Sequence, residues 1–401
     1  MGAATFLQIS DLHLGAPLGW LPPELRDERR REQRAVLRDA VRIAIERGVD
    51  AILVPGDLFD GEGVDADTLA FAAAAFADPA CPPVLVAPGN HDPFSESSPY
   101  WSTRLMAARG LAWPACVHVF EGPHWSAREL PCGVTVWGRA FSAGMDSTER
   151  PLAVRPATAD GTTHLALFHG SREGRLPPGQ RIAGPFSDGE VHESPFHYLA
   201  VGHYHARSEI RRDPSPDSPV RLAYAGSAAA VSMSELGVHG ALLVGLDLKG
   251  GGARIEPLDL DPRRVHDLSV DVSGISSIEQ IEERAIERLD AAGAARNDFA
   301  TLRLAGRIGR GVRFTGIGAA LRARIAHVKM DMGRVRPDYD LDAYRNRLIE
   351  TTEDQFVSAL LDRLEATTDE DERLVIERAL DYGLDAFRLR EVAPVHEEIA
   401  S

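Results

Sequence analysis

Five short apolar segments, each followed by a polar residue beside a glycine, constrain the fold of this chain most strongly. They read FLQIS, AILVPGD, PVLVAPGN, HLALFHG and YLAVGHYH. Short runs rich in Val, Leu and Ile are typical of strands that are buried on both faces of a sheet. A helical stripe of apolar residues lies between the first two segments and ends at Gly48, a plausible helix terminus. The alternation of strands and helices predicts a layered α/β domain.

The chain places Asp, Asn and His residues at the carboxyl ends of these predicted strands, where α/β sheets gather their chemistry. The residues are Asp11, His13, Asp57, Asp60, Asn90, His91, His169, His203 and His205. Carboxylate, imidazole and amide groups together suit Mn, Fe or Zn better than Mg or Ca alone. Because there are more ligands than one tetrahedral ion needs, the pattern favours two ions that share a bridging carboxylate.

His203 and His205 stand one residue apart at the end of a buried strand. Side chains at i and i+2 of an extended chain project the same way, so the two imidazoles could each reach one of two neighbouring ions. Burying two imidazoles without partners would cost free energy and give no packing advantage over Val or Leu. Any one of the five motifs alone is weak evidence, but five in this order favour a common site.

The remainder of the sequence indicates a second sheet, a small α+β unit and a helical region. Residues 213–260 contain strand patterns without helices between them, which predicts a second, more antiparallel sheet packed on the first. After DLDPRR, strands and helices alternate as in a small α+β unit, and beyond about residue 343 the chain is helical and acidic. We therefore expect regions at 1–262, 263–342 and 343–401.

Charge and cysteine content restrict the partners and the compartment. The formal net charge of −16 argues against a simple basic clamp for nucleic acids, although bound cations or a partner subunit could reverse the sign locally. Three scattered cysteines outside any CxxC pair fit a reducing cytoplasm. We expect no signal peptide and no membrane span.

The set DLHLG, GDLFD, GNHD, HG and GHYH resembles the calcineurin-like metallophosphoesterase superfamily. Within it, the chain is most similar to bacterial SbcD-type DNA-repair exonucleases, through the forms of its first two motifs and the α+β unit that follows the second predicted sheet. The motifs cover about residues 5–230. The resemblance implies an α/β fold of two packed β-sheets flanked by helices, with a small α+β capping domain and a helical C-terminus.

The resemblance also implies roles for individual residues. Asp11, His13 and His205 would hold one ion, Asn90, His169 and His203 the other, and Asp57 would bridge both. His91 would face the substrate phosphate, where it would stabilise developing charge or protonate the leaving oxygen, and Asp60 could orient His91. The nucleophile would be a water activated by the two divalent ions, with Mn²⁺ as the first choice and Fe, Zn or Mg as alternatives.

Two enzymatic functions remain open from the sequence. One is a Mn-dependent exonuclease or endonuclease in DNA repair, acting on DNA ends or single strands. The other is a metallophosphoesterase for small phosphodiesters such as cyclic nucleotides. The net charge favours the second, whereas the long extension after residue 260 favours the first. A binding subunit with a decayed site is disfavoured because every predicted ligand is present. The resemblance implies docking of the C-terminal helices onto an SbcC-like coiled-coil ATPase and leaves room for a homodimer.

Two further segments have open roles. The basic run RDERRREQR at 26–34 could steer DNA phosphates, or it could be a solvated helix face on which Glu28 and Glu32 balance the arginines. The Pro/Gly-rich segment 171–190, which follows His169, could be a loop that contacts substrate, or an idle one.

Overall fold

The computed structural model describes residues 2–61, 63–158, 161–177, 180–249, 252–308, 312, 316–345, 351–390 and 392. The chain forms two compact units, one of Met1–His266 with Asn297–Phe299 and one of Asp267–Arg296 with Ala300–Ser401. The division into three regions at 1–262, 263–342 and 343–401 remains a prediction from the sequence. In the last region, residues 346–350, 391 and 393–401 lie outside the described residues.

The first unit is built on one curled sheet, to which twelve strands are assigned in the described residues. They are β1 (Ala3–Gln8), β2 (Ala51–Val54), β3 (Val84–Val86), β4 (Val117–Val119), β5 (Ser126–Glu129), β6 (Val134–Gly138), β7 (Thr163–His169), β8 (Tyr198–Gly202), β9 (Ser208–Arg211), β10 (Val220–Tyr224), β11 (Gly240–Asp247) and β12 (Gly252–Asp259). The order across the sheet is β4-β3-β2-β1-β11-β12-β10-β8-β7-β6-β5, and β9 pairs with β10.

The sheet has two largely parallel halves. Strands β1 to β4 pair in parallel, and so do β6, β7, β8 and β10. Both halves bury side chains in one shared core, in which Phe6 and Leu53 from the first half lie in the same cluster as Leu167, Tyr198 and Ala200 from the second. The prediction of two packed layers is therefore confirmed.

The layers differ from the prediction in how they are joined. Strands β10, β11 and β12 were expected in a separate sheet. Instead, β10 pairs in parallel with β8, and β11 and β12 form an antiparallel pair that connects β1 to β10. The physical reason is that this pair satisfies the backbone N–H and C=O groups along one edge of each half, which would otherwise remain open. The result is a continuous sheet folded over on itself.

Helices cover the outer faces of the two layers. The first layer carries α1 (Pro23–Glu46), α2 (Ala66–Ala75) and α3 (Thr103–Ala108), and the second carries α4 (Asp188–Glu193). Helix α1 begins with Pro23 in its first turn and ends before Gly48, whose φ of +60° suits a glycine after a helix terminus. Its apolar stripe, including Leu37 and Val41, packs with Ile52 and Val84 of the sheet.

Within the basic run at 26–34, Arg29 departs from both predicted alternatives, because its side chain is buried. Arg29 Nη1 donates a 2.6 Å hydrogen bond to Asp261 Oδ1, and its Nε donates to the carbonyl of Ala230. Both side chains of the Arg29–Asp261 pair are fully buried. This arginine therefore holds α1 to the loop before β13 and takes no part in steering a ligand.

The second unit contains a sheet with the order β13-β14-β15 and five helices among its described residues. The strands are β13 (Val265–Asp271), which starts at the boundary, β14 (Phe299–Ile308) and β15 (His327–Pro337). The helices are α5 (Ile278–Ala291), α6 (Ala319–Arg324), α7 (Leu341–Arg345), α8 (Thr352–Ala366) and α9 (Glu370–Leu389). Leu361, Leu380 and Leu384 form part of a separate core between α8 and α9. The predicted α+β unit and helical C-terminus are confirmed.

No helix within the described ranges is both long enough and apolar enough to cross a lipid bilayer.

Candidate metal centre

The polar residues predicted at the strand ends meet in one place in the first unit. Asp11 and His13 follow β1, Asp57 and Asp60 follow β2, Asn90 and His91 follow β3, His169 ends β7, and His203 and His205 follow β8. Because the strands of each half run in parallel, their carboxyl ends lie along one edge, and the folding of the sheet brings the two edges together. The site can be divided into two groups of donors around Asp57.

The first group contains Asp11, His13 and His205. Their candidate ligand atoms all lie within 4.8 Å of one another, and the Nε2 atoms of His13 and His205 are 3.1 Å apart. Two ligands about 2.1 Å from one ion and at right angles to each other would be separated by roughly 3 Å. The separation of the two imidazoles therefore fits a shared metal ion.

The second group contains Asn90, His169 and His203. Asn90 Oδ1 lies 2.9 Å from His169 Nε2 and 3.1 Å from His203 Nδ1, and the two imidazole nitrogens are 3.2 Å apart. Three donors at mutual separations of about 3 Å form a triangular face that an ion can cap. The two imidazoles of this group are buried, since His169 and His203 expose 4% and 6% of their surface.

Asp57 stands between the two groups. Its Oδ2 lies 3.3 Å from His169 Nε2 and 3.7 Å from His13 Nε2. Burial alone would raise the pKa of Asp57, but the charges of His169 and His13 hold that pKa well below its ordinary value. An ionised carboxylate that contacts both groups occupies the position that a bridging ligand requires. The donor set as a whole, imidazoles with carboxylates and one amide oxygen, fits divalent transition metals.

The backbone at the site is strained, which shows how firmly the surroundings hold it. Positive φ angles occur at Asp11 (50°), His13 (47°), Asp57 (53°) and His203 (114°). Each such residue costs on the order of 1 kcal/mol outside glycine. Hydrogen bonds between the strand ends hold these conformations, including His203 N to Asp11 Oδ1 at 3.0 Å and His13 N to Asp57 O at 3.0 Å.

Two glycines in the motifs are required by close approach to these ligands. A Cβ atom at Gly89 would lie 2.2 Å from Asp57 Oδ1, and one at Gly56, where φ is +95°, would lie 2.5 Å from His169 Nδ1. Both distances are far below van der Waals contact. The glycines beside the polar strand ends therefore make room for the donors as well as for the turn.

Asp60 and His91 form the third part of the site. Asp60 Oδ1 lies 3.0 Å from Nδ1 of His13 and 3.0 Å from Nδ1 of His91. The hydrogen bond to Asp60 raises the pKa of His91 above its ordinary value. The His91 side chain is 48% exposed, in contrast to the buried donors. This exposed position of His91 is consistent with the predicted contact to substrate. Its contact with Asp60 is consistent with the predicted role of Asp60 in orienting His91.

The electrostatics of the protein without ions show competition for protons. Burial lowers the pKa of His169 but Asp57 raises it, with a net result of about 9. Burial and the charge of His169 instead lower the pKa of His203 to about 3. The charge of Asp57 therefore raises the pKa of His169 much more than that of the neighbouring His203. Divalent cations can replace such protons, because metal ligands bind in their deprotonated forms.

Two residues that support the site were not predicted from the sequence. The buried carboxylate of Asp92, in the GNHD motif but given no role, accepts N–H hydrogen bonds from Gly89 (2.7 Å) and Leu58 (2.9 Å), among others. It ties the second motif to the third. Glu235 Oε1 lies 3.2 Å from His205 Nδ1, and its Oε2 accepts a 2.7 Å hydrogen bond from Ser227 Oγ. Nothing in the sequence around Glu235 signals this contact.

A cavity of about 430 Å³ opens onto the two groups. It is lined by Asp57, Asn90, His91, Gln180, Arg181, His203 and His205. Buried donors for two ions, a half-exposed histidine and an open cavity together define a metal-dependent hydrolase of phosphate esters.

The comparison with known families agrees with this class. The model of the calcineurin-like phosphoesterase family matches residues 4–206, and the chain belongs to this family. The superfamily resemblance found in the sequence is thereby confirmed.

Individual relatives extend the comparison. The chain is 30% identical over 365 residues to the SbcD subunit of nuclease SbcCD from Rhodobacter capsulatus, covering 80% of this chain and 84% of the relative. It is 27% identical over 249 residues to the uncharacterized metallophosphoesterase YhaO of Bacillus subtilis, covering 60% of this chain and 57% of that relative. A solved dimetal phosphatase from Danio rerio is 15% identical, with a TM-score of 0.37 over 63% of this chain and 98% of that one.

Proposed function

We propose that this protein is a Mn²⁺-dependent DNA nuclease that acts in DNA repair on DNA ends or single strands. The observation that carries the proposal is the similarity to the SbcD subunit of nuclease SbcCD, which extends over 80% of the chain and so beyond the matched family domain at 4–206. Asp57 and the six donors grouped around it support the same chemistry. The proposed ligands are those predicted from the sequence.

The proposed mechanism assigns work to the chain's own residues. When bound, two divalent ions would neutralise phosphate charge and lower the pKa of a water molecule. Asp57 would hold both donor groups at a fixed separation. His91 would use Nε2 to donate a proton to the leaving oxygen, since Nδ1 is engaged by Asp60 at 3.0 Å. The raised pKa of His91 supports this role, because it keeps the proton on the imidazole.

The proposed partners and compartment follow from the same relative and from charge. The relative is a subunit of a complex, and we propose an SbcC-like coiled-coil ATPase as the partner of this chain. A protein with a net charge of −16 gains DNA affinity from such a partner. The three cysteines are free, which supports a cytoplasmic location.

A second candidate is a phosphodiesterase for small substrates, favoured by the same net charge of −16. Such a substrate needs only the donor groups and His91, and it gains nothing from an extended basic surface. The two candidates share the metal centre and differ in what else must be bound.

The test compares substrates and metals in one experiment. Purified protein would be incubated with Mn²⁺, Mg²⁺ or chelator and with end-labelled duplex DNA, single-stranded DNA or bis-p-nitrophenyl phosphate. We expect Mn²⁺-dependent shortening of DNA that is lost in His91→Ala. Turnover of the small diester with DNA left intact, also after addition of an SbcC-like partner, would contradict the nuclease proposal and favour the second candidate.

A further inference from the structure

The cavity at the metal centre is lined on one side by Gln180 and Arg181, which come from the Pro/Gly-rich segment that follows β7. Among the described residues that line the cavity, Arg181 is the one with a permanent positive charge. Its side chain is exposed, and its guanidinium has no hydrogen bond or ion pair with any residue that the structure describes. Apart from Gln180, the other lining residues belong to the proposed metal centre, whereas this arginine has no assigned role.

Hydrogen bonds hold the described part of this segment, which does not include 178–179, close to the site. Ser171 N donates a 2.7 Å hydrogen bond to Ala183 O, and Ala183 N donates a 2.9 Å bond to Ser171 Oγ. A few residues further on, Phe186 is fully buried in the core of the second layer. These contacts fix the backbone close to Arg181.

A direct contact links Arg181 to one of the proposed ligands. The carbonyl oxygen of Arg181 lies 3.0 Å from His203 Nε2, whereas Nδ1 of the same ring faces Asn90 and His169. The two nitrogens lie on opposite sides of the imidazole. Arg181 is thus separated from the donor group by the width of one ring, next to the metal centre but outside it.

Gln180 supplies a second polar group in the same cavity. Its Oε1 is buried and has no hydrogen-bond partner among the described residues. Buried polar groups are nearly always paired, so an unpaired one beside a cavity indicates a partner that a ligand supplies. An amide oxygen accepts hydrogen bonds, so Gln180 Oε1 would pair with a donor such as a sugar hydroxyl or a base N–H, whereas the guanidinium of Arg181 donates to phosphate oxygens.

We propose that Arg181 binds a phosphate next to the scissile one, so that the site selects polynucleotides over isolated phosphodiesters. Ions held by the donor groups, together with His91, would match the charge of the scissile phosphate, and the backbone of Arg181 lies beyond the His203 ring. A guanidinium binds a phosphate through charge-assisted and often bidentate hydrogen bonds. The inference rests on the proposed nuclease function, because a polynucleotide offers the neighbouring phosphate that an isolated phosphodiester lacks.

The test uses two readouts, so that the inference and the nuclease function can fail separately. Binding of a fluorescent penta-thymidylate would be measured by anisotropy in chelator, and cleavage of the same oligonucleotide and of bis-p-nitrophenyl phosphate would be measured with Mn²⁺. The variants are Arg181→Gln and a matched control, Arg175→Gln, in the same segment but outside the cavity lining.

We expect Arg181→Gln to weaken oligonucleotide binding about tenfold and to reduce the salt dependence by about one phosphate contact, with small-diester turnover unchanged. Arg175→Gln should match the wild type. Equal binding by Arg181→Gln and wild type would overturn the inference, as would a wild type that does not bind the oligonucleotide. Equal losses on both substrates would also overturn it, since Arg181 would then act on the scissile phosphate or through His203. Intact binding without cleavage by the wild type would contradict the nuclease function alone.

Discussion

The two donor groups of the metal centre contain similar ligands, but different kinds of groups contact the outer nitrogens of their imidazoles. In the first group, the outer nitrogens of both imidazoles contact carboxylates: His13 Nδ1 lies 3.0 Å from Asp60, and His205 Nδ1 lies 3.2 Å from Glu235. A carboxylate behind an imidazole fixes its orientation and raises its basicity as a ligand.

In the second group, the outer nitrogens contact backbone carbonyls. His169 Nδ1 lies 3.0 Å from Pro55 O, and His203 Nε2 lies 3.0 Å from Arg181 O. A carbonyl also fixes the orientation of the ring, but it carries no net charge and cannot be removed by substitution. Substitutions of the supporting side chains can therefore change metal binding by the first group, whereas the supports of the second group are set by the path of the backbone. Four predictions test this contrast.

The largest effect is expected where the two groups meet. Asp57→Asn removes the charge that contacts both, so we expect binding of two Mn²⁺ ions to be lost and phosphodiester hydrolysis to fall about 10,000-fold. Calorimetric titration of the metal-free protein with Mn²⁺ measures the stoichiometry, and thermal melting verifies the fold. If this variant still binds two Mn²⁺ ions tightly, Asp57 is not the bridging ligand.

The next effect separates chemistry from metal binding. His91→Gln removes the proposed proton donor while both donor groups stay intact, so we expect hydrolysis to fall about a hundredfold to a thousandfold. Mn²⁺ stoichiometry and affinity should equal those of the wild type. A loss of one ion in this variant would mean that His91 is a ligand and that the two-group description is incomplete.

The contrast between the supports is tested by Glu235→Gln. Because Glu235 contacts only His205 among the ligands, we expect one of two Mn²⁺ affinities to weaken about tenfold to a hundredfold and the other to stay constant. The matched control is Glu256→Gln, whose side chain is 58% exposed beside Arg47. Equal weakening of both ions would show that the two groups are not separately supported.

The smallest effect is expected at Ser227, which contacts Glu235 and only through it supports His205. Ser227 Oγ donates a 2.7 Å hydrogen bond to Glu235 Oε2. Ser227→Ala should leave Glu235 in place but less firmly held, and we expect the affinity for the same single ion to fall about threefold. Competition with a fluorescent Mn²⁺ chelator resolves a change of this size. An effect as large as that of Glu235→Gln would mean that Ser227 supports His205 more strongly than its indirect contact suggests.

Much of the fold and of the site could be predicted from the sequence because their signals are local. Short apolar runs that end in Asp, Asn or His beside glycine gave the strands and their polar ends, and the family resemblance is confirmed by the match at 4–206. The spacing of His203 and His205 predicted one imidazole for each of two ions. The structure places His205 beside His13 and His203 beside His169. The ligand roles themselves stay predictions.

Other features could not be predicted because their partners are distant in the chain and carry no pattern. Glu235 reaches His205 from a loop after β10, in a stretch without a recognisable motif. Asp92 acts through backbone N–H groups, which look the same for every residue type. Arg29 was predicted on the surface because its neighbours are charged, yet it pairs with Asp261 more than two hundred residues away. Contacts of this kind depend on how the sheet closes.

The local sequence was enough to place the polar residues at strand ends, because hydrophobic periodicity and motif spacing act over a few residues. The family resemblance of the motifs predicted which of these residues carry the chemistry. The tertiary structure alone decided how those ends are assembled. It joined the layers through β11 and β12, gave the first donor group its carboxylate supports and the second its carbonyls, and set Arg181 beside His203. These contacts depend on long-range packing of the folded sheet, in which distance along the chain no longer limits which groups meet.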